Sequence, residues 1–140
     1  MKILLAADGS PFTKKALAFL VNHPGLSGPS DELVVLTVHP ALSPRVTTLV
    51  GAAGVADYHR EESDKVLEPI KAFLARHPVP YRCIEAVGSI SDEILKAVTA
   101  EKAHLIVMGT HGYGLVGRFF MGSIAQRVVA DCDVPVLLVK

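Results

Sequence analysis

The stretch GTHGYGLVGRFFMGS, residues 109–123, follows the apolar run HLIVM and holds Gly112, Gly114 and Gly117 in the order G-x-G-x-x-G. Glycines at this spacing let a backbone turn tightly and approach a phosphate, so dinucleotide binding is the first chemistry to test. That chemistry also needs an acidic residue ~20 positions on, at the end of the next strand, to hold a ribose hydroxyl. The next apolar run is VPVLLVK, and Asp131 and Asp133 precede it rather than follow it. A helix opening at Gly117 would also carry Gly122 in its second turn, where glycine costs ~1 kcal/mol against alanine. The loop reads better as two phosphate-competent parts. One is a turn at Gly109 to Gly112; the other is a helix start at Gly122-Ser123, with Ser123 as N-cap and Gly122 as approach residue. Both offer backbone N–H groups to an anion.

Other reactive side chains are few. Asp8, at the end of the first apolar run, could hold a nucleotide's magnesium, act as a weak base, or simply be a solvated strand-end acid. His39 and His111 read as solvent-facing loop residues, and Arg118 is the glycine loop's one cation. There is no G-x-x-x-x-G-K-[ST] motif, which favours binding over fast hydrolysis. Cys83 and Cys132 have no metal-like spacing and read as ordinary thiols.

These residues must be carried by regular elements. Ile3 to Ala7, Glu32 to Val38, Tyr81 to Val87, His104 to Met108 and Val134 to Val139 read as strands. Between them, Ser10-Pro11 opens a helix, Val55 to His77 shows helical spacing kinked at Pro69, Ser91-Asp92-Glu93 opens a third helix, and Ser123 to Asp131 forms a fourth. Alternation of this kind predicts a doubly wound, five-stranded parallel sheet of order 3-2-1-4-5 with helices on both faces. In that order Asp8 and Gly109 face each other across the crevice at the strands' C-terminal ends. The connection Pro40 to Gly54 is long for a compact domain and reads as a functional or disordered loop.

The chain has 140 residues, the size of one domain, here taken as 1–140. Fourteen basic and fourteen acidic residues give a net charge of zero, which disfavours nucleic acid or an acidic membrane as partner. The start, MKILLAADGS, is too short in apolar residues for a secretory signal, so a cytoplasmic location is expected. The apolar strand Val134–Val139 would lie at the sheet edge, and covering it predicts a two-fold homodimer through that strand.

Gly109, two residues, Gly112, nine residues and Gly122-Ser123 resemble the nucleotide-binding signature of the universal stress protein family. The likeness runs from the strand ending in Asp8-Gly9-Ser10, through the strand ending in Val38-His39, to the terminal VPVLLVK. It implies a single α/β domain that commonly dimerises and, in the branch carrying this signature, binds ATP, with Mg2+. By that resemblance Asp8 sits near the ribose and Val38 joins the adenine pocket. Met108, Gly109 and Gly112 line the adenosine and phosphate path, and Gly122, Ser123 and Ile124 meet the phosphates. Ala125 lacks the hydroxyl that some ATP-binding relatives supply as Thr. Three functions stay open: a stress or signalling module whose ATP occupancy sets the Pro40–Gly54 loop and hence partner affinity; a slow ATPase or nucleotidyl or phosphoryl transfer enzyme; and a dimeric interaction protein without nucleotide.

Overall fold

In the computed structural model, residues 1–111 and 121–140 are described. Five strands, β1 (Lys2–Ala6), β2 (Glu32–His39), β3 (Tyr81–Val87), β4 (Leu105–Gly109) and β5 (Val136–Val139), alternate with four helices. The helices are α1 (Pro11–Val21), α2 (Pro44–Leu74), α3 (Ile90–Glu101) and α4 (Ser123–Asp131). All strand pairings are parallel, in the order β3-β2-β1-β4-β5, as the alternating sequence predicts.

The apolar runs of β1, β2 and β4 have a simple cause: these strands are covered on both faces. Residues alternate sides, so Ile3, Leu5 and Val35 pack with Leu17, Leu20 and Leu67 beneath α1 and α2. Leu4, Val34 and Ile106, aligned in register across three strands, pack with Ile94, Val98 and Val128 beneath α3 and α4. Each fully buried Leu or Ile contributes roughly 1.5–3 kcal/mol by leaving water, so the sheet's centre is its most rigid part. β3, at one edge, alternates with exposed Arg82 and Glu85; β5, at the other, is apolar throughout and half-buried.

The connection after β2 is not a loop. Ser43-Pro44 starts α2 by the same N-cap and first-turn proline signal as Ser10-Pro11, and the Ser43 Oγ accepts from the Val46 N–H at 3.3 Å. The Thr47 and Thr48 hydroxyls bond back to the carbonyls of Ser43 and Pro44. At Gly51 the backbone leaves helical geometry (φ 72°, ψ 173°) before the helix resumes. The first of these angles is one that glycine adopts without strain. The break therefore lies at Gly51, whereas Pro69 sits inside the continuing helix.

Below the sheet, Arg82 donates from Nε to Glu32 at 2.6 Å and from its other arm to Glu101. These bonds hold both carboxyls below the usual glutamate range. A carboxyl with a lowered folded-state pKa adds stability above its unfolded value, and that stability is lost as pH falls through the folded one. Arg82→Leu should therefore lower Tm at pH 7, and the gap should close as pH falls below 4.5, the ordinary glutamate value. Melting curves across that range check it; a constant Tm gap would show that the ion pairs are not the cause.

Candidate functional site

The C-terminal ends of β1, β2 and β4 converge on one cavity of about 640 Å³, where a doubly wound sheet is expected to bind ligands. Its floor begins at Asp8. One carboxylate oxygen of Asp8, Oδ1, accepts from the Ser10 N–H and the Thr13 hydroxyl, each at 2.9 Å. The Thr13 hydroxyl in turn accepts from the Asp8 N–H at 3.1 Å. Asp8 thus ties the strand end to α1 while its side chain stays exposed at the cavity. Ser10 is the N-cap residue of α1, but its side chain makes no cap bond. Gly9, between them, has φ 78°, a left-handed value suited to a residue without Cβ.

Gly109 forms the next corner. A Cβ built there would lie 2.4 Å from Phe12 Cβ and 3.0 Å from the His111 carbonyl. Only glycine lets β4 pass so close to α1. The chain then leads through Thr110, whose N–H bonds to the Val139 carbonyl and whose carbonyl accepts from the Gly122 N–H at 2.8 Å. That bond seats the start of α4 against the end of β4.

The N-cap of α4 is Gly122, not Ser123; Ser123 is the first helical residue and is exposed. Glycine there has an ordinary extended backbone (φ −60°, ψ 152°) and provides no side-chain cap. The N–H groups at 123, 124 and 125 precede any intrahelical acceptor. They carry the helix's positive end, worth roughly half an elementary charge, and Ser123, Ile124 and Ala125 line the cavity. An oxyanion fits such an end.

The cavity's two sides differ chemically. On the α3 and α4 side it is walled by Val38, Ile90, Ile94, Met108 and Ile124, all packed into the cluster under those helices. On the α2 side stand Thr13, His39, Glu62 and Lys65. Burial lowers the His39 imidazole below its ordinary value, opposed by the Glu62 carboxylate. The Lys65 Nζ lies 2.8 Å from Glu62 Oε1, a contact that lowers the acid and raises the amine.

Residues 1–140 match the model of the universal stress protein family. The chain belongs to that family. A Thermus aquaticus relative, "universal stress protein in QAH/OAS sulfhydrylase 3′region", is 36% identical over 139 residues, 99% of this chain and 97% of its own. Among solved structures, that of MJ0577 from Methanocaldococcus jannaschii superposes with a TM-score of 0.84 at 27% identity, covering 99% of this chain and 94% of the other. The universal stress protein of Archaeoglobus fulgidus in complex with dAMP gives a TM-score of 0.68 at 23% identity, covering 100% and 98%.

For this universal stress protein, the structure brings Asp8, Val38, Met108, Gly109, Gly122, Ser123 and Ile124 into the wall of one cavity. Gly112, Gly114, Gly117 and Arg118 lie outside the described residues. The solvent-facing reading of the histidines does not hold. β2 extends through His39, which makes it a strand residue, and His111 lies half-buried with its ring 5.5 Å from that of Phe12; both line the cavity. Cys83 and Cys132 are free thiols, and no helix among the described residues is long and apolar enough to cross a membrane. Helical spacing puts Lys65 on the polar side of α2, where an i,i+4 pair with Glu61 is expected; Lys65 instead pairs with Glu62, and nothing local reveals that this turn of a long helix meets the tip of β2.

Proposed function

We propose that the protein binds ATP in this cavity and that nucleotide occupancy regulates its contact with a protein partner in the cytoplasm. The observation that carries the reading is the meeting of the tip of β1 at Asp8 with the uncapped, glycine-started α4 in a single cavity. Adenine fits the apolar side at Val38 and Met108, the phosphates fit the N–H groups at 123–125, and the ribose lies over Asp8. Charge-assisted hydrogen bonds contribute roughly 1.5–3 kcal/mol each, so a few of them with base burial reach the ~8 kcal/mol of micromolar affinity after association costs. A family member of the same fold has been seen with dAMP, which agrees with an adenine nucleotide as ligand.

Among the described residues no group of three or more His, Cys, Asp or Glu could hold a metal ion. Mg2+ therefore enters with the triphosphate, which supplies most of its oxygen ligands. Asp8 has one oxygen already committed to α1, and in this reading ATP turnover is weak at most.

The partner-responsive part is the first segment of α2. Residues 43–53 are exposed throughout, and Leu49 is 77% exposed with Val46 and Val50 beside it. This apolar arm starts just after Pro40 in the cavity wall and ends at the Gly51 break, beyond which α2 brings Glu62 and Lys65 to the cavity. At the far edge of the sheet, apolar β5 suits a homodimer through Val134–Val139, since a bare edge of this kind invites a matching strand. Both points are tested on one sample. Mg-ATP should bind saturably in the micromolar range, raising stability by about 2.7 kcal/mol at a hundredfold excess over Kd, and light scattering should return twice the chain mass of 14.9 kDa. No saturable binding at millimolar ATP would overturn the nucleotide reading; a monomer mass would overturn the dimer.

A further inference from the structure

We infer that Glu62 and Lys65 read the sugar of the bound nucleotide, making the site discriminate ribose from deoxyribose. The inference rests on the ATP reading above and concerns the side of the cavity that reading leaves unused. Base and phosphates have their complements on the α3 and α4 side, in apolar side chains and in backbone donors at 123–125. What remains of a nucleotide is a neutral diol, and what remains of the cavity is the α2 side.

The chemistry of that side matches a diol better than it matches a phosphate. Glu62 and Lys65 form an ion pair at 2.8 Å, so together they carry no net charge and would neither draw in nor repel an anion strongly. They present a charged acceptor beside a charged donor, the two functions a pair of hydroxyls can use, and hydrogen bonds to charged groups are the strong ones. His39, which feels the Glu62 carboxylate, lies with its Nε2 3.4 Å from the Thr37 hydroxyl. It adds a third polar group to the same side of the cavity.

The position of the pair distinguishes it from ordinary helix-surface pairing. α2 repeats the same i,i+3 arrangement at Glu68 and Lys71, 3.6 Å apart, with the acid 65% exposed. Glu62 is 31% exposed by comparison, while the Lys65 stem leads to solvent, its side chain 71% exposed. Glu62 lies in the cavity wall with Lys65, and the outer pair does not. Of the two acids, Glu62 is the one at the cavity, with Lys65 at its rim.

Asp8 does not make Glu62 redundant. One of its oxygens is held by Ser10 and Thr13, leaving at most one for a sugar with two hydroxyls. A second carboxylate facing the same cavity supplies the remaining acceptor.

The test is a calorimetric titration of wild type, Glu62→Gln and Glu68→Gln with ATP and 2′-deoxy-ATP under the same Mg2+ concentration. Wild type and Glu68→Gln should prefer ATP by roughly tenfold, the worth of one hydrogen bond to a charged group. Glu62→Gln should bring the two ligands within about twofold of each other while still binding both, because its base and phosphate contacts are untouched. An unchanged ratio in Glu62→Gln, or a wild-type ratio near one, overturns the ribose assignment and leaves nucleotide binding standing. Failure of wild type to bind either ligand overturns the nucleotide reading itself. Circular dichroism of the variants separates a lost contact from a lost fold.

Discussion

Gly122→Asp should weaken ATP binding by about two orders of magnitude while leaving Tm unchanged or slightly raised. The backbone at 122 is extended (φ −60°, ψ 152°), so any L-residue can take it. A Cβ there would meet the Thr110 carbonyl at 3.3 Å, a contact relieved by a shift of a few tenths of an ångström. Aspartate is among the best N-cap residues, and its carboxylate would accept the N–H at 124 or 125 and complement the helix's positive end. For folding this is neutral to favourable. For an anionic ligand it removes a donor and places a negative charge in the phosphate path. Losing one charge-assisted bond of roughly 1.5–3 kcal/mol and adding a like charge beside the phosphates together correspond to about a hundredfold in Kd. Calorimetry and a melting curve on the same variant check both halves. Unaltered affinity in a folded Gly122→Asp would show that the phosphates do not sit at α4.

Gly109→Val should act in the opposite way, through the fold. Here the obstacle is not a mobile side-chain tip but Phe12 Cβ, 2.4 Å from the new atom and fixed to the first turn of α1, together with the His111 carbonyl. α1 must move or β4 must yield, and either disturbs the join between Asp8, Thr13 and the strand ends. Overpacking of this kind costs typically 1–3 kcal/mol and sometimes more; with two branches added, about 3 kcal/mol and a fall of roughly 10 °C in Tm are expected. Gly25→Ala is the control, since a Cβ at 25 meets nothing within 4 Å. If both variants melt with the parent, the close approach of β4 to α1 is not real.

Much of this arrangement could be read before any coordinates. The order of the sheet followed from alternating apolar runs and helical spacing, and β3 and α4 fall on the expected residues because each is bounded by strong local signals: prolines and glycine around Tyr81–Val87, and Gly122-Ser123 before α4. The seven site positions that lie among the described residues share one cavity for the same reason, being strand ends or a helix start. What escaped was set by packing. Thr47, Thr48, Val50 and two glycines are weak helix formers, so Pro40–Gly54 reads as a loop; the Ser43 cap and the threonine back-bonds make it helical from Pro44 on. Ser123 looked like the cap because serine favours that role. The Gly122 N–H bond to Thr110, a contact between distant segments, moves the cap one residue earlier. That Glu62 and Lys65 reach the cavity is not legible for a related reason: their place depends on where a long helix crosses the sheet.

The place of β1 in the sheet also bears on how the chain is born. It leaves the ribosome before both strands that flank it, yet it becomes the central one, with Leu4 between Val34 on one side and Ile106 on the other. Until Leu105–Gly109 has been synthesised, one whole edge of this apolar strand has no companion. Unpaired apolar edges are where intermediates aggregate, and pairings this distant in sequence form slowly. Translation arrested before residue 105 would therefore leave a nascent chain that calls for chaperone protection, whereas a chain that includes β4 has that edge of β1 covered.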